Sequence, residues 1–155
     1  MSDDALYLED MKVGQKFISR TYEMTEERIK TFAAEFDPQP FHLDEAAARA
    51  SVFQGLAASG WHTAAVAMRL IVTEGGLPFA AGAVGLGGEI EWPRPTRPGD
   101  ILHVESEIVE LIPSRSKPNQ GIVRVRNTTL NQKGEPVQIF TAKILAFKRP
   151  GSNDL

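Results

Sequence analysis

The stretch from Trp61 to about Glu74 constrains the fold more than any other part of the chain. Ala64, Ala65, Val66, Ala67, Met68, Leu70, Ile71 and Val72 leave it almost no polar face. A helix that is apolar nearly all round is a buried one, so the remaining chain must close around it, and the many alanines mean that it closes tightly. Gly75-Gly76 stops the helix. The second half of the chain supplies the enclosing surface as four strand-like segments: Val84 to Trp92, Ile101 to Leu111, Gly121 to Asn131 and Pro136 to Phe147. Asn131-Gln132-Lys133-Gly134 is a hairpin turn signal between the last two. In the third segment Val123, Val125 and Asn127 alternate with Ile122, Arg124 and Arg126, which is the period of a strand with one inward face. An earlier aromatic and β-branched segment, Gln15 to Glu23, reads as a first strand. The expected architecture is α+β, an antiparallel sheet of about five strands wrapped around one long buried helix.

The totals exclude several classes of function. A chain of 155 residues makes one domain, here residues 1–150, with 151–155 as a frayed tail. A net charge of −3 does not provide the basic field that general nucleic-acid binding needs. There is no cysteine, which removes disulfides, thiolate nucleophiles and Cys-based metal sites. The acidic start Met1-Ser2-Asp3-Asp4 lacks the basic and apolar regions of a secretory signal. No apolar run reaches the ~20 residues of a membrane span. A cytoplasmic protein is expected, with no membrane partner.

Thr25-Glu26-Glu27-Arg28 offers an N-cap with acids in the first turn, and Ile29, Phe32 and Ala33 follow at helical spacing, predicting a helix that ends at Phe36. Asp44 is placed to cap a second helix, Glu45 to Ala50. Between them lies the turn Asp37-Pro38-Gln39-Pro40-Phe41-His42. The two prolines fix their own φ and restrict the residues before them. They hold a carboxylate and an imidazole on a connection with little freedom, as a proton-transferring pair requires. The plainer reading of Asp37, as a residue that punctuates the end of a helix, stands beside this one.

Three ordered segments carry a family resemblance. Asp37, Pro40, His42 and Asp44 match the pattern Gly-Asp-x-Asn-Pro-x-His-x-Asp, with Phe36 in place of its glycine and Gln39 in place of its asparagine. Gly60 matches the glycine of a His-Gly pair that opens the central helix, with Ser59 in place of the histidine. Arg94-Pro95-Thr96-Arg97-Pro98-Gly99-Asp100 is similar to a Pro-x-x-x-Gly-Asp strand connection. The chain thus resembles the MaoC-like, or hydratase 2, branch of the hotdog-fold proteins. The resemblance implies an (R)-specific enoyl-CoA hydratase or 3-hydroxyacyl-CoA dehydratase. In it Asp37 and His42 hold and deprotonate one water, and the backbone N–H of Gly60 faces the thioester oxygen. Phe36, Gln39, Phe41, Ser59 and Arg94 are then expected to contact an acyl-CoA substrate. Arg97, Arg115 and Lys117 are further candidates for its phosphates. The same resemblance implies a homodimer or higher homo-oligomer, with no cofactor and no metal.

Each of these residues also has an ordinary reading. Gly60 suits a turn needing positive φ, Phe41 and Trp92 suit the core, and the arginines suit a solvated surface. His62 is expected to be a satisfied core or interface histidine and His103 a structural one, since three histidines without HExxH-type spacing make no metal site. The glycine-rich run Gly82 to Gly88 is not followed by a helix, so it reads as a close backbone approach to the site or to a partner subunit. An acyl-CoA thioesterase and a non-catalytic acyl-thioester-binding protein are the alternatives to the hydratase, because one fold hosts several chemistries.

Overall fold

A computed structural model of the protein describes residues 5–73 and 76–151. The expected signal-free start at residues 1–4, the helix stop at Glu74 and Gly75, and residues 152–155 of the expected tail lie outside them. A 3-10 turn at Leu8–Asp10 precedes two short strands, β1 (Lys16–Ile18) and β2 (Tyr22–Met24). One strand was expected here. The break falls where Ser19 takes over the pairing: its Oγ accepts from Val104 N–H at 2.8 Å, and its own N–H donates to the Val104 carbonyl at 2.9 Å. A side-chain bond replaces a ladder bond, and the chain bends between the two short pieces.

Helix α1 (Glu26–Phe36) is capped by Thr25, whose side chain accepts from Arg28 N–H, as the sequence predicts. The next segment departs from the expected turn. Pro40 occupies the first position of a one-turn helix, α2 (Pro40–Leu43), where its missing N–H costs nothing. Asp44 then caps α3 (Glu45–Arg49) by accepting from Ala47 N–H at 2.9 Å. Helix α4 (Gly60–Val72) is the central apolar helix and is capped by Ser59.

The sheet follows as β3 (Val84–Glu91), β4 (Asp100–Pro113), β5 (Gln120–Leu130) and β6 (Pro136–Phe147). The strand order is β1-β4-β5-β6-β3, with β2 also paired to β4, so among the described residues six strands take part where about five were expected. Every strand pair is antiparallel. The turn after β5 forms as predicted, with Gly134 N–H on the Asn131 carbonyl and the Asn131 side chain accepting from Lys133 and Glu135. Val123, Val125 and Asn127 face inward while Arg124 and Arg126 pair with Glu110 and Glu107 on the outer face.

The concave face of the sheet packs on Val66, Ala67, Leu70 and Ile71 of α4, and with Ile29, Leu102, Val104 and Ile108 these form the core. Each valine, leucine and isoleucine among them contributes roughly 1.5–3 kcal/mol on burial. The enclosure is one-sided, which corrects the expectation of a helix buried all round. Trp61, Met68 and Val72 lie on the outer face of α4 with 45–61% of their surface exposed. Strand β3 is likewise open along Val84 and Leu86. One of its glycines serves the sheet itself: a Cβ on Gly88 (φ +159°) would lie 2.2 Å from the Thr141 carbonyl oxygen of β6, whereas a Cβ on Gly85 or Gly87 would meet nothing within 4 Å.

Candidate active site

The backbone leaves α1 at Asp37 (φ −154°, ψ 66°), whose N–H still bonds the Ala33 carbonyl. Pro38 enforces that exit, because a residue preceding proline is pushed out of the α region. Pro40 then starts α2 and turns His42 inward, to 4% exposure. The carboxylate therefore hangs from the end of one helix and faces the imidazole of the next.

His42 Nδ1 lies 2.6 Å from the Ala57 carbonyl oxygen. A carbonyl only accepts, so Nδ1 carries the hydrogen and Nε2 of the neutral ring presents a lone pair. That Nε2 is 3.3 Å from Asp37 Oδ2. Two lone pairs cannot face one another at this distance without a proton between them. Asp37 is held from two other sides: Gln39 Nε2 donates to Oδ1 at 2.5 Å, and Ser59 Oγ–H donates to Oδ2 at 2.6 Å. Burial pushes the Asp37 pKa up, but the hydrogen bonds from Ser59 and Gln39 and the neighbouring His42 outweigh it, and the carboxyl sits below its usual range.

Gly60 is the first residue of α4, where amides have no acceptor inside their own helix. The preceding residue, Ser59, accepts the Trp61 N–H on its hydroxyl and the His62 and Thr63 N–H groups on its carbonyl. Gly60 is not in the positive-φ region, so the turn reading of this glycine is wrong. The reason for glycine is space: a Cβ there would come within 2.7–2.9 Å of three atoms of the Trp92 ring. Trp92 is fixed in turn by its indole N–H, which donates to Gln138 at 2.9 Å. Gln39, Phe41, His42, Gly60, Trp92 and Arg94 share a cleft of about 370 Å³. The cleft brings an imidazole base and a helix-end amide to one apolar-walled space.

Other candidate residues separate. Phe36 is 65% exposed and packs on Phe32 beside a second, larger cleft of about 650 Å³ that also includes Tyr22, Arg28 and His62. Arg94 is half-exposed on the rim of the first cleft, 3.5 Å from Glu135. Arg97 does not join it as a phosphate ligand. Its guanidinium donates to the carbonyls of Phe53, Gly55 and Leu56 and so anchors the segment that leads to Ala57. Arg115 and Lys117 lie in the turn after β4, at the end of that strand away from Asp100 and roughly 40 Å along it. His103 pairs with Glu105 on β4. His62 is buried but not satisfied, contrary to expectation: Nδ1 has no partner, and burial, with Arg28 nearby, lowers its pKa to about 4. Among the described residues no group of three or more His, Asp or Glu is placed to hold a metal ion, and no helix is long and apolar enough to cross a membrane.

Ser59 as a donor to Asp37 and Arg97 as a clamp escape sequence reasoning, because their partners lie 22 and 41–44 residues away. Residues 10–131 match the family model described as the MaoC like domain. The chain is 57% identical to the MaoC-like dehydratase from Rhodospirillum rubrum, whose crystal structure it matches with a TM-score of 0.93 over 94% of this chain and 99% of that one. It is 32% identical to R-hydratase PhaJ1 from Pseudomonas aeruginosa, with a TM-score of 0.75 over 93% and 87% of the two chains. It is 34% identical to the 3-hydroxybutyryl-CoA dehydratase of Methylorubrum extorquens over 113 residues, 72% of this chain and 69% of the relative.

Proposed function

The chain belongs to the MaoC-like dehydratase family and has its hotdog fold, and from that premise we propose that it is an (R)-specific enoyl-CoA hydratase, or in reverse a 3-hydroxyacyl-CoA dehydratase. The observation that carries this reading is the fixed tautomer of His42: Nδ1–H is tied to Ala57 and the basic Nε2 is turned to Asp37 at 3.3 Å. A water lying beside both groups, within reach of each, is polarised by two acceptors. Its oxygen adds to C3 of a trans-2-enoyl thioester. One of its protons passes to His42 Nε2, where the Asp37 carboxylate stabilises the imidazolium. The same proton returns to C2 as the enolate collapses, so that H and OH add to one face and no other reactant is consumed. Asp37 is the poorer base of the two, since both its oxygens already accept hydrogen bonds; its task is to hold the water and the charge. The enolate oxygen is received by Gly60 N–H at the positive end of α4. Arg94, on the rim, is the candidate contact for a CoA phosphate.

The reaction needs neither a metal nor a redox cofactor. The uncovered apolar stripe of α4 and the open edge of β3 fit a second copy of the chain, which makes a homodimer the expected assembly in the cytoplasm. The test is the loss of enoyl-thioester absorbance with crotonyl-CoA. Wild-type protein is expected to hydrate it, and Asp37→Asn and His42→Ala to abolish turnover while keeping the fold. Free CoA release in place of hydration would make the protein a thioesterase, and binding without turnover a non-catalytic acyl-thioester-binding protein.

A further inference from the structure

Three observations meet at Ser59, the residue that departs from the family's histidine. Its Oγ is a donor to the proposed water-holding carboxylate at 2.6 Å and an acceptor for the Trp61 N–H at 3.2 Å, so one hydroxyl spends both its hydrogen and a lone pair. The residue is itself 1% exposed. It is also covalently joined to Gly60, the proposed receiver of the thioester oxygen. We propose that Ser59 is a positioning residue that ties the Asp37 carboxylate to the N-terminus of α4, setting both the separation of the two halves of the site and the pH range over which Asp37 stays ionised. This rests on the hydratase reading of the same site.

The surroundings leave Ser59 few rivals for this task. The titratable group facing Asp37 from α2 is His42. On α4 there is no acid in the first turn, and His62, in that same turn, is neutral at ordinary pH because its pKa is about 4. On α1, Glu35 is exposed. The remaining neutral donor is Gln39, which takes the other carboxylate oxygen. Without Ser59, Oδ2 would keep only the contact to His42, and desolvation would draw the Asp37 pKa upward.

The cap and the donor can be separated experimentally. Glycine caps a helix nearly as well as serine, so Ser59→Gly removes the donor and spares α4, whereas Ser59→Thr keeps both. For Ser59→Gly the acid limb of kcat/KM for crotonyl-CoA hydration is expected to move upward, with a roughly 10- to 100-fold loss on the plateau, the size of a hydrogen bond to a charged group. Ser59→Thr is expected to restore both. The Asp37 carboxyl carbon, titrated by NMR in selectively labelled protein, should move upward in Ser59→Gly whether or not the protein is a hydratase. An Asp37 titration that does not change, in a folded variant, overturns the proposal. A shifted titration with no hydration by wild-type protein leaves the linkage in place and removes the hydratase reading instead.

Discussion

Two histidines lie near the N-terminal end of α4, and they differ in one respect that matters. His42 and His62 are buried to nearly the same degree, 4% and 6% exposed, and each packs against a phenylalanine ring at about the same distance, 4.7 Å to Phe41 and 4.5 Å to Phe32. His42 has a carbonyl at Nδ1 and a carboxylate at Nε2. His62 has no partner at Nδ1 and stacks flat on Phe32. Burial without partners silences an imidazole by favouring its neutral form. Partners at both nitrogens fix its tautomer and aim its lone pair. The larger cleft borders the silenced histidine and the smaller one the aimed histidine, so cavity size is a poor guide to the chemistry here.

The comparison breaks most visibly in activity. His42→Phe is expected to lower kcat/KM by roughly 10²–10⁴-fold, the range of a lost general base. His62→Phe should stay within about twofold of wild type by the same absorbance assay, because the histidine lacks an aligned partner. Gly60→Ala comes next. The Cβ must displace Trp92 from its bond to Gln138, costing about 1–3 kcal/mol in stability by denaturant titration. It should also lose roughly 10²-fold in kcat as the amide is shielded. A smaller effect tests what aims His42. Arg97→Met frees the carbonyls that position the approach to Ala57, and should cost about 2 kcal/mol in stability. It should also cost about tenfold in kcat as the ring loses its fixed tautomer.

The smallest effect concerns stability against acid. The His62 pKa falls from 6.5 in the unfolded chain to about 4 in the fold. Its contribution is therefore complete above pH 6.5 and declines as the pH falls toward 4, because the unfolded chain then binds the extra proton. Asp37, lowered from 3.8, keeps its contribution until the pH falls below that value. Between pH 6.5 and 4 the loss seen in thermal unfolding should thus shrink in His62→Phe and persist in Asp37→Asn.

What could be read beforehand was whatever depends on local spacing. Thr25 and Asp44 cap helices by bonds that reach three residues, and the prolines around Gln39 act on their immediate neighbours. These suffice to place Asp37 and His42 together. The bonds that make the pair directional come from Ala57 and Ser59, 15 and 22 residues away in sequence. Neither residue type announces such a bond. The break between β1 and β2 escaped for a related reason, since it depends on Ser19 meeting Val104, 85 positions on. Alanine-rich α4 was rightly identified as the centre. Its exposed face was missed because apolar composition signals burial without saying which side of the helix the chain itself encloses.

The central claim, that His42 and Asp37 share one water and return its proton on the same face, has a direct test. Crotonyl-CoA is hydrated by the protein in D₂O and the product is examined by NMR. The account predicts (R)-3-hydroxybutyryl-CoA with one deuterium at C2, syn to the new hydroxyl. Anti addition, an (S) product, or butenoate released with free CoA would contradict it.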